Sequence, residues 1–131
     1  MTPATPARTR FEHADPILSV RNMAVSLAYY QDVLGFRNAP WGGEWFTSVN
    51  RDGAGIYLCQ GDQGGPGTWV WVGVEDVAQL HAEYQASGAR IRMAPVNHSW
   101  AYEMQVEDPD GHVLRFGSEP RQDLPFVKHG P

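Results

Sequence analysis

The chain has 131 residues, 42% of them hydrophobic and 19% charged, which suits one compact domain with a core and excludes wholesale disorder. Ten Lys and Arg against fifteen Asp and Glu give a formal net charge of −5, and without a basic run the phosphate backbone of nucleic acid is excluded as a partner. One cysteine, Cys59, rules out an internal disulfide and a Cys-based zinc centre. The opening MTPATPARTR lacks the apolar run of a secretory signal, and nothing approaches the roughly 18 apolar residues of a membrane span, so a soluble, cytoplasmic protein is expected.

Ile17-Leu18-Ser19-Val20 reads as a strand. Asn22 then N-caps a helix that carries Met23, Leu27, Tyr30 and Leu34 at helical spacing, and Gly35 stands at the C-cap. Segments 45–50 and 55–60 are strand-like, and Gly61 to Gly67 is a linker without the Gly-Lys-Ser/Thr ending of a phosphate loop. Trp69 to Val74 is again a strand. Asp76 with Gln79 forms a capping box, Val77, Leu80 and Tyr84 supply the apolar stripe, and Gly88 ends this second helix. Segments 103–107 and 112–117 follow, joined by the turn Asp108-Pro-Asp-Gly111.

The same order therefore occurs twice. Val20, Ala24, Ala28, Tyr30 and Gln31 recur as Val74, Ala78, Ala82, Tyr84 and Gln85, a constant offset of 54 residues, and Asp52-Gly53 recurs as Asp110-Gly111 at an offset of 58. The reading is an α+β fold of two βαβββ halves, about residues 11–60 and 67–117, in one domain over 1–118 followed by a tail over 119–131. Strand alternation divides each half into two faces. Leu18, Val20, Ile56, Leu58, Val70, Val72, Val74, Met104, Val106, Leu114 and Phe116 form a uniformly apolar set for the side under the helices. Asp15, Tyr57, Trp69, Trp71, Glu103, Gln105 and Arg115 form a mixed set, as expected of a binding surface with a few placed polar groups.

Val20-x-Asn22-Met23-x-x-Ser26-Leu27-x-x-Tyr30, Leu34-Gly35-Phe36 and the closing Asp108-Pro-Asp-Gly-His-Val-Leu-Arg-Phe116 resemble the vicinal oxygen chelate superfamily, which holds glyoxalase I, extradiol dioxygenases and the bleomycin-resistance proteins. That resemblance implies paired βαβββ modules around an open, U-shaped cavity. It also implies four metal-ligand positions, which fall on Asp15, Tyr57, Trp69 and Arg115. Indole offers no lone pair, guanidinium is a permanent cation and a phenol is a poor ligand for such ions, so no metal and no cofactor are expected. Within the superfamily the likeness is greatest to the bleomycin-resistance proteins, which sequester a drug without chemistry. Thr68-Trp69-Val70-Trp71-Val72 resembles their Ala-Trp-Val-Trp-Val strand, and Trp41, Phe46 and Trp100 align with aromatic positions of their cleft. Ser99-Trp100-Ala-Tyr102-Glu103-Met104 keeps only the Trp and Glu of their Pro-Trp-Gly-Arg-Glu-Phe. Pro16 matches a proline associated with exchange of an N-terminal arm between the two subunits of a homodimer.

The expected ligand-binding set is thus Asp15, Trp41, Phe46, Tyr57, Trp69, Trp71, Trp100, Tyr102, Glu103 and Arg115, with no catalytic residue and a small aromatic or cationic ligand, a glycopeptide antibiotic being one such molecule. Charged groups on this surface must be paired, solvated or facing a ligand. An Asp15–Arg115 or Glu103–Arg115 ion pair is one reading, and acids that attract a cation, positioned by Arg115, are the other. The rival function is an enzyme, with Asp15 or Glu103 as general base or with His13, Asp15, His98 and Glu103 around a rearranged metal. Cys59 with His98 as a nucleophile pair has little support, His81 and His112 read as solvated surface, and His129 lies in the tail.

Overall fold

A computed structural model describes residues 5–128 of the chain; His129 lies outside them. The first module comprises β1 (Ile17–Ser19), α1 (Met23–Ala28), β2 (Arg37–Asn38), β3 (Phe46–Arg51) and β4 (Ala54–Cys59), and the second comprises β5 (Trp69–Gly73), α2 (Val77–Ser87), β6 (Arg90–Asn97), β7 (Tyr102–Glu107) and β8 (Val113–Ser118). Each forms a four-stranded mixed sheet, in the orders β1-β4-β3-β2 and β5-β8-β7-β6. This is the expected α+β fold of two βαβββ modules. The ladders repeat along with the residues: Ile17 pairs with Tyr57 and Leu18 with Leu58, while Trp71 pairs with Arg115 and Val72 with Phe116. The offsets of 54 and 58 thus superimpose one parallel ladder on the other.

Local signals account for the helices. The Asn22 side chain accepts from the Val25 N–H at 3.2 Å and that of Asp76 from the Gln79 N–H at 3.0 Å, each satisfying one free donor of a first turn. Gly88 ends α2 at φ +85°, a left-handed conformation that costs a glycine little. The first helix continues beyond Ala28 as a π-helical turn over Tyr29–Val33. Both tyrosine hydroxyls leave that turn for the other module: Tyr29 donates to the Glu107 carbonyl at 2.7 Å, and Tyr30 to the buried Asp108 carboxylate at 2.9 Å.

The two helical segments meet between the sheets. Tyr84 of α2 donates to the Leu34 carbonyl at 2.8 Å and Ser87 to that of Val33 at 2.7 Å. Leu18, Leu58 and Val49 of one sheet, Val72, Met104 and Leu114 of the other, and Tyr30 and Tyr84 between them form one continuous core. Complete burial of a Leu, Val or Met side chain contributes roughly 1.5–3 kcal/mol, so the core holds the modules together.

The strands and His112 differ from expectation. The sequence segments named above omit β2 and β6; β6 contains Pro95 and its pairing with β7 slips between Ile91 and Met93 and again between Met93 and Val96. An edge strand tolerates both the missing N–H of proline and the bulges. His112, expected at the surface, is 1% exposed. Its Nδ1 accepts from the Thr68 N–H at 3.0 Å, which leaves Nε2 to donate to the Ser19 carbonyl at 2.6 Å, so this ring ties the second module to the end of β1. The stretch after Ser118, whose order the sequence leaves open, is docked as far as Val127. The Asn97 side chain donates to the Arg121 and Leu124 carbonyls and accepts from the Arg121 N–H, and its own carbonyl accepts from Val127.

Candidate functional site

The expected binding residues separate onto two walls, one on the outer face of each sheet. On the first, Phe46 and Tyr57 stack with centroids 5.3 Å apart, and Trp41 stacks on Phe46 at 6.3 Å. Register explains the meeting, because Ser48 faces Tyr57 and Phe46 faces Cys59 across β3 and β4, so Phe46 and Tyr57 are diagonal neighbours within reach of aromatic rings. Asp15 lies beyond Gly55 at the same face and contacts His13, Nδ1 to Oδ2 at 2.7 Å.

The second wall alternates indoles with guanidinium groups. Trp69 and Trp71 are each 50% exposed. The Arg115 guanidinium lies 5.3 Å from the Trp71 ring and that of Arg92 lies 4.9 Å from Trp69, contacts worth about 0.5–1 kcal/mol each at exposed sites. The Trp71 ring occupies the space over Gly117, where an added Cβ would stand 2.2 Å from Trp71 Cη2. Beneath these rings Glu103 is 2% exposed. One of its oxygens accepts from Arg115 Nη2 at 2.6 Å, and the other lies 3.9 Å from His98 Nε2. The His98 ring in turn stacks on Trp100 at 4.4 Å and 4°.

Of the two expected ion pairs the structure forms Glu103–Arg115, while Asp15 turns to His13. Glu103 is therefore committed inside the fold by a charge-assisted hydrogen bond, and the cleft acid expected to draw a cation is neutralised. Tyr102 stands apart from the other named residues. It packs against the core, one position out of phase with Glu103, and carries the Arg121 guanidinium 5.5 Å over its ring. Arg92 was absent from the expected set because β6 was absent from the expected strands; Gln105, already on the mixed face, accepts a short hydrogen bond from it.

The four family metal positions do not fit a metal here. Tyr57 is held in the aromatic stack, Trp69 has no donor lone pair, and Arg115 is a cation bound to Glu103. His13 with Asp15 and His98 with Glu103 are each adjacent, but no group of three or more His, Cys, Asp or Glu that could hold an ion occurs among the described residues. A cleft of about 950 Å³ runs between the modules, and Asp15 of the first wall and Trp71 of the second both line it, together with Gly55, Glu83 and Phe116. Glu83 is occupied there by both terminal nitrogens of Arg51, at 2.9 and 3.0 Å.

Residues 10–116 match the family model described as the Glyoxalase/Bleomycin resistance protein/Dioxygenase superfamily. The chain belongs to that superfamily. It is similar in structure to the bleomycin-binding protein of bleomycin-producing Streptomyces verticillus, solved with copper(II)-bleomycin, at a TM-score of 0.72 and 23% identity over 87% of this chain and 100% of that one. TnmS3, an antibiotic binding protein from Streptomyces sp. CB03234, is similar at a TM-score of 0.71 and 22% identity, covering 87% and 100%. The virulence protein STM3117 from Salmonella typhimurium is similar at 0.68 and 16% identity, covering 86% and 99%. No curated protein sequence matches the chain significantly. At these identities the solved structures establish the fold that they share with this superfamily member. No helix among the described residues is long and apolar enough to cross a membrane.

Proposed function

We propose that this protein captures a small planar aromatic molecule of antibiotic type on its tryptophan-bearing sheet faces and holds it chemically unchanged in the cytoplasm. The observation that carries this reading is the presence of two outward aromatic walls, Trp41–Phe46–Tyr57 and Trp69–Trp71, whose tryptophan rings are at least half exposed. Core packing leaves such rings unused, and flat aromatic faces suit stacking worth about 0.5–1.5 kcal/mol per pair beyond area burial. Similarity to a bleomycin-binding protein and an antibiotic binding protein supports the class. Capture without turnover is supported by the donor chemistry of the family metal positions and by a Glu103 carboxylate already engaged by Arg115.

We infer that a second copy encloses the ligand by setting its first-module wall against the second-module wall of its partner. The N-terminal arm suits that role. Residues 5–16 carry no strand, Phe11 is 88% exposed, and Pro16 offers its carbonyl to Tyr57 N–H where the β1 ladder begins.

Titration with bleomycin-type and planar polycyclic antibiotics, followed by tryptophan emission, tests the reading. Saturable quenching at one ligand per cleft is expected, with ligand of unaltered mass recovered. Trp69→Ala and Trp41→Ala should each weaken binding by about tenfold, and sedimentation should give a dimer. Undiminished affinity in both variants would remove the walls from the site, and a product of altered mass would replace capture by catalysis.

A further inference from the structure

Arg92 and Trp69 start from opposite margins of the second sheet. β6 and β5 are its two edge strands, three strand spacings or about 14 Å apart, yet the guanidinium carbon of Arg92 reaches to 4.9 Å from the Trp69 ring. The side chains therefore meet above the two central strands, between the row of Trp69, Val113 and Glu107 and the next row, where Gln105 opposite Arg115 accepts from Arg92. The slips in β6 pairing on either side of Met93 place Arg92 in a bulge, a feature that re-aims side chains at sheet edges.

The charges under this bridge do not balance. By register and contact this face carries three guanidinium groups, of Arg90, Arg92 and Arg115, against two carboxylates: Glu103, which is paired with Arg115, and Glu107, which faces Arg90 across β7 and β6 with no ion pair between them. Arg92 touches a neutral amide, the Gln105 carbonyl oxygen, and an indole, with no carboxylate on it among the described residues. Beside Gln105 the Nε–H of Arg115 is buried without an acceptor. Although the chain as a whole is acidic, this wall holds an excess cation and an unused donor beside an open aromatic face.

We propose that the Trp69–Arg92 bridge is a subsite for a planar aromatic ring system bearing an anionic substituent, a carboxylate or an acidic phenol. The ring lies on Trp69, and the anion takes the free N–H groups of Arg92, which present a planar fork suited to such oxygens. An ammonium-bearing ring would instead have to force Arg92 off the indole and leave two cations side by side. This rests on the small-molecule reading above and specifies its ligand class.

The test uses three probes that differ in one substituent: anthraquinone-2-carboxylate, the neutral 2-hydroxymethyl compound and the 2-aminomethyl cation, each titrated by tryptophan quenching at low and at physiological salt. The carboxylate should bind at least about tenfold tighter than the cation, in line with a hydrogen bond to a charged group. Arg92→Gln should abolish that preference and Arg92→Lys should keep part of it. Lys128→Gln, an equal charge change in the tail, should leave it intact. Equal binding of all three probes, or a preference that survives Arg92→Gln, overturns the subsite while leaving ligand capture standing. Failure of every probe to quench overturns both.

Discussion

The two modules share a ladder and differ in what they hang on it. Where the first sheet has Tyr57 the second has Arg115, Ile17 answers to Trp71, Phe46 to Glu103 and Cys59 to Gly117. The inner faces hardly diverge, because both are filled by Leu, Val, Ile, Met and Phe side chains of one core. Duplication thus preserved what packs and released what faces outward. The first wall became a neutral aromatic stack. The second became an indole and guanidinium surface underlain by a buried carboxylate, and it is there that a charged ligand can be told from a neutral one.

The harshest way to break the comparison is to part the modules. His112→Ala removes a ring buried against Ser19 of one module and Thr68 of the other, leaving a carbonyl and an N–H unpaired and a cavity between them. A loss of about 2–4 kcal/mol is expected, read as a lower urea midpoint at an unchanged m-value. A loss below about 0.5 kcal/mol, within the range of ordinary surface substitutions, would mean that the two sheets are registered by the core and the Tyr84–Leu34 contact without this histidine.

Much of this contrast was legible in the chain, and the gaps have identifiable causes. Period-two alternation and a duplicated helix signal suffice for the modules, the core faces and both N-caps, since each depends on neighbours within one element. His112 escaped because its burial depends on Ser19, far away in sequence, whereas the adjacent turn signals only local exposure. β6 escaped because Pro95 and two slips erase its alternation, and Arg92 went with it. Tyr102 was placed by motif likeness to a drug-cleft loop, yet strand phase puts it opposite Glu103. Trp41 and Phe46 were legible through their alignment with family cleft positions, and their rings stack on one another in the fold.

A middle-sized effect is expected from the ion pair peculiar to the second wall. Glu103→Ala leaves Arg115 without its carboxylate. Loss of a buried partner costs about 3–5 kcal/mol, and because the Arg115 side chain is 36% exposed, about 1–3 kcal/mol is expected after allowance for solvent. Adding Arg115→Leu should restore much of that loss, as apolar replacement of both members of a pair does. Double-mutant unfolding curves measure the coupling directly. Additive losses would show the pair to be two independent residues, and the second wall would then differ from the first by composition alone.

The smallest effect sharpens the comparison at the junction the modules share. Asp108 sits on the turn of the second module, accepting from the Tyr30 hydroxyl of the first and from the Asp110 and His112 N–H groups. Burial holds its carboxyl above the ordinary Asp range, with those hydrogen bonds and His112 opposing the rise. Folded protein therefore binds this proton more tightly than unfolded chain does. The stability that Asp108 contributes is fully present below its unfolded pKa and falls as pH climbs through its folded value. Asp108→Asn cannot ionise, and its oxygen can still accept from both N–H groups, so the advantage of the parent protein over this variant should shrink steadily from acid towards neutral pH. Denaturant midpoints of the two proteins, compared across that range, give the difference free of every other titrating group they share. A gap that stays level or widens would mean that hydrogen bonds, not burial, govern Asp108, and that the junction holds an ionised carboxylate as readily as water does.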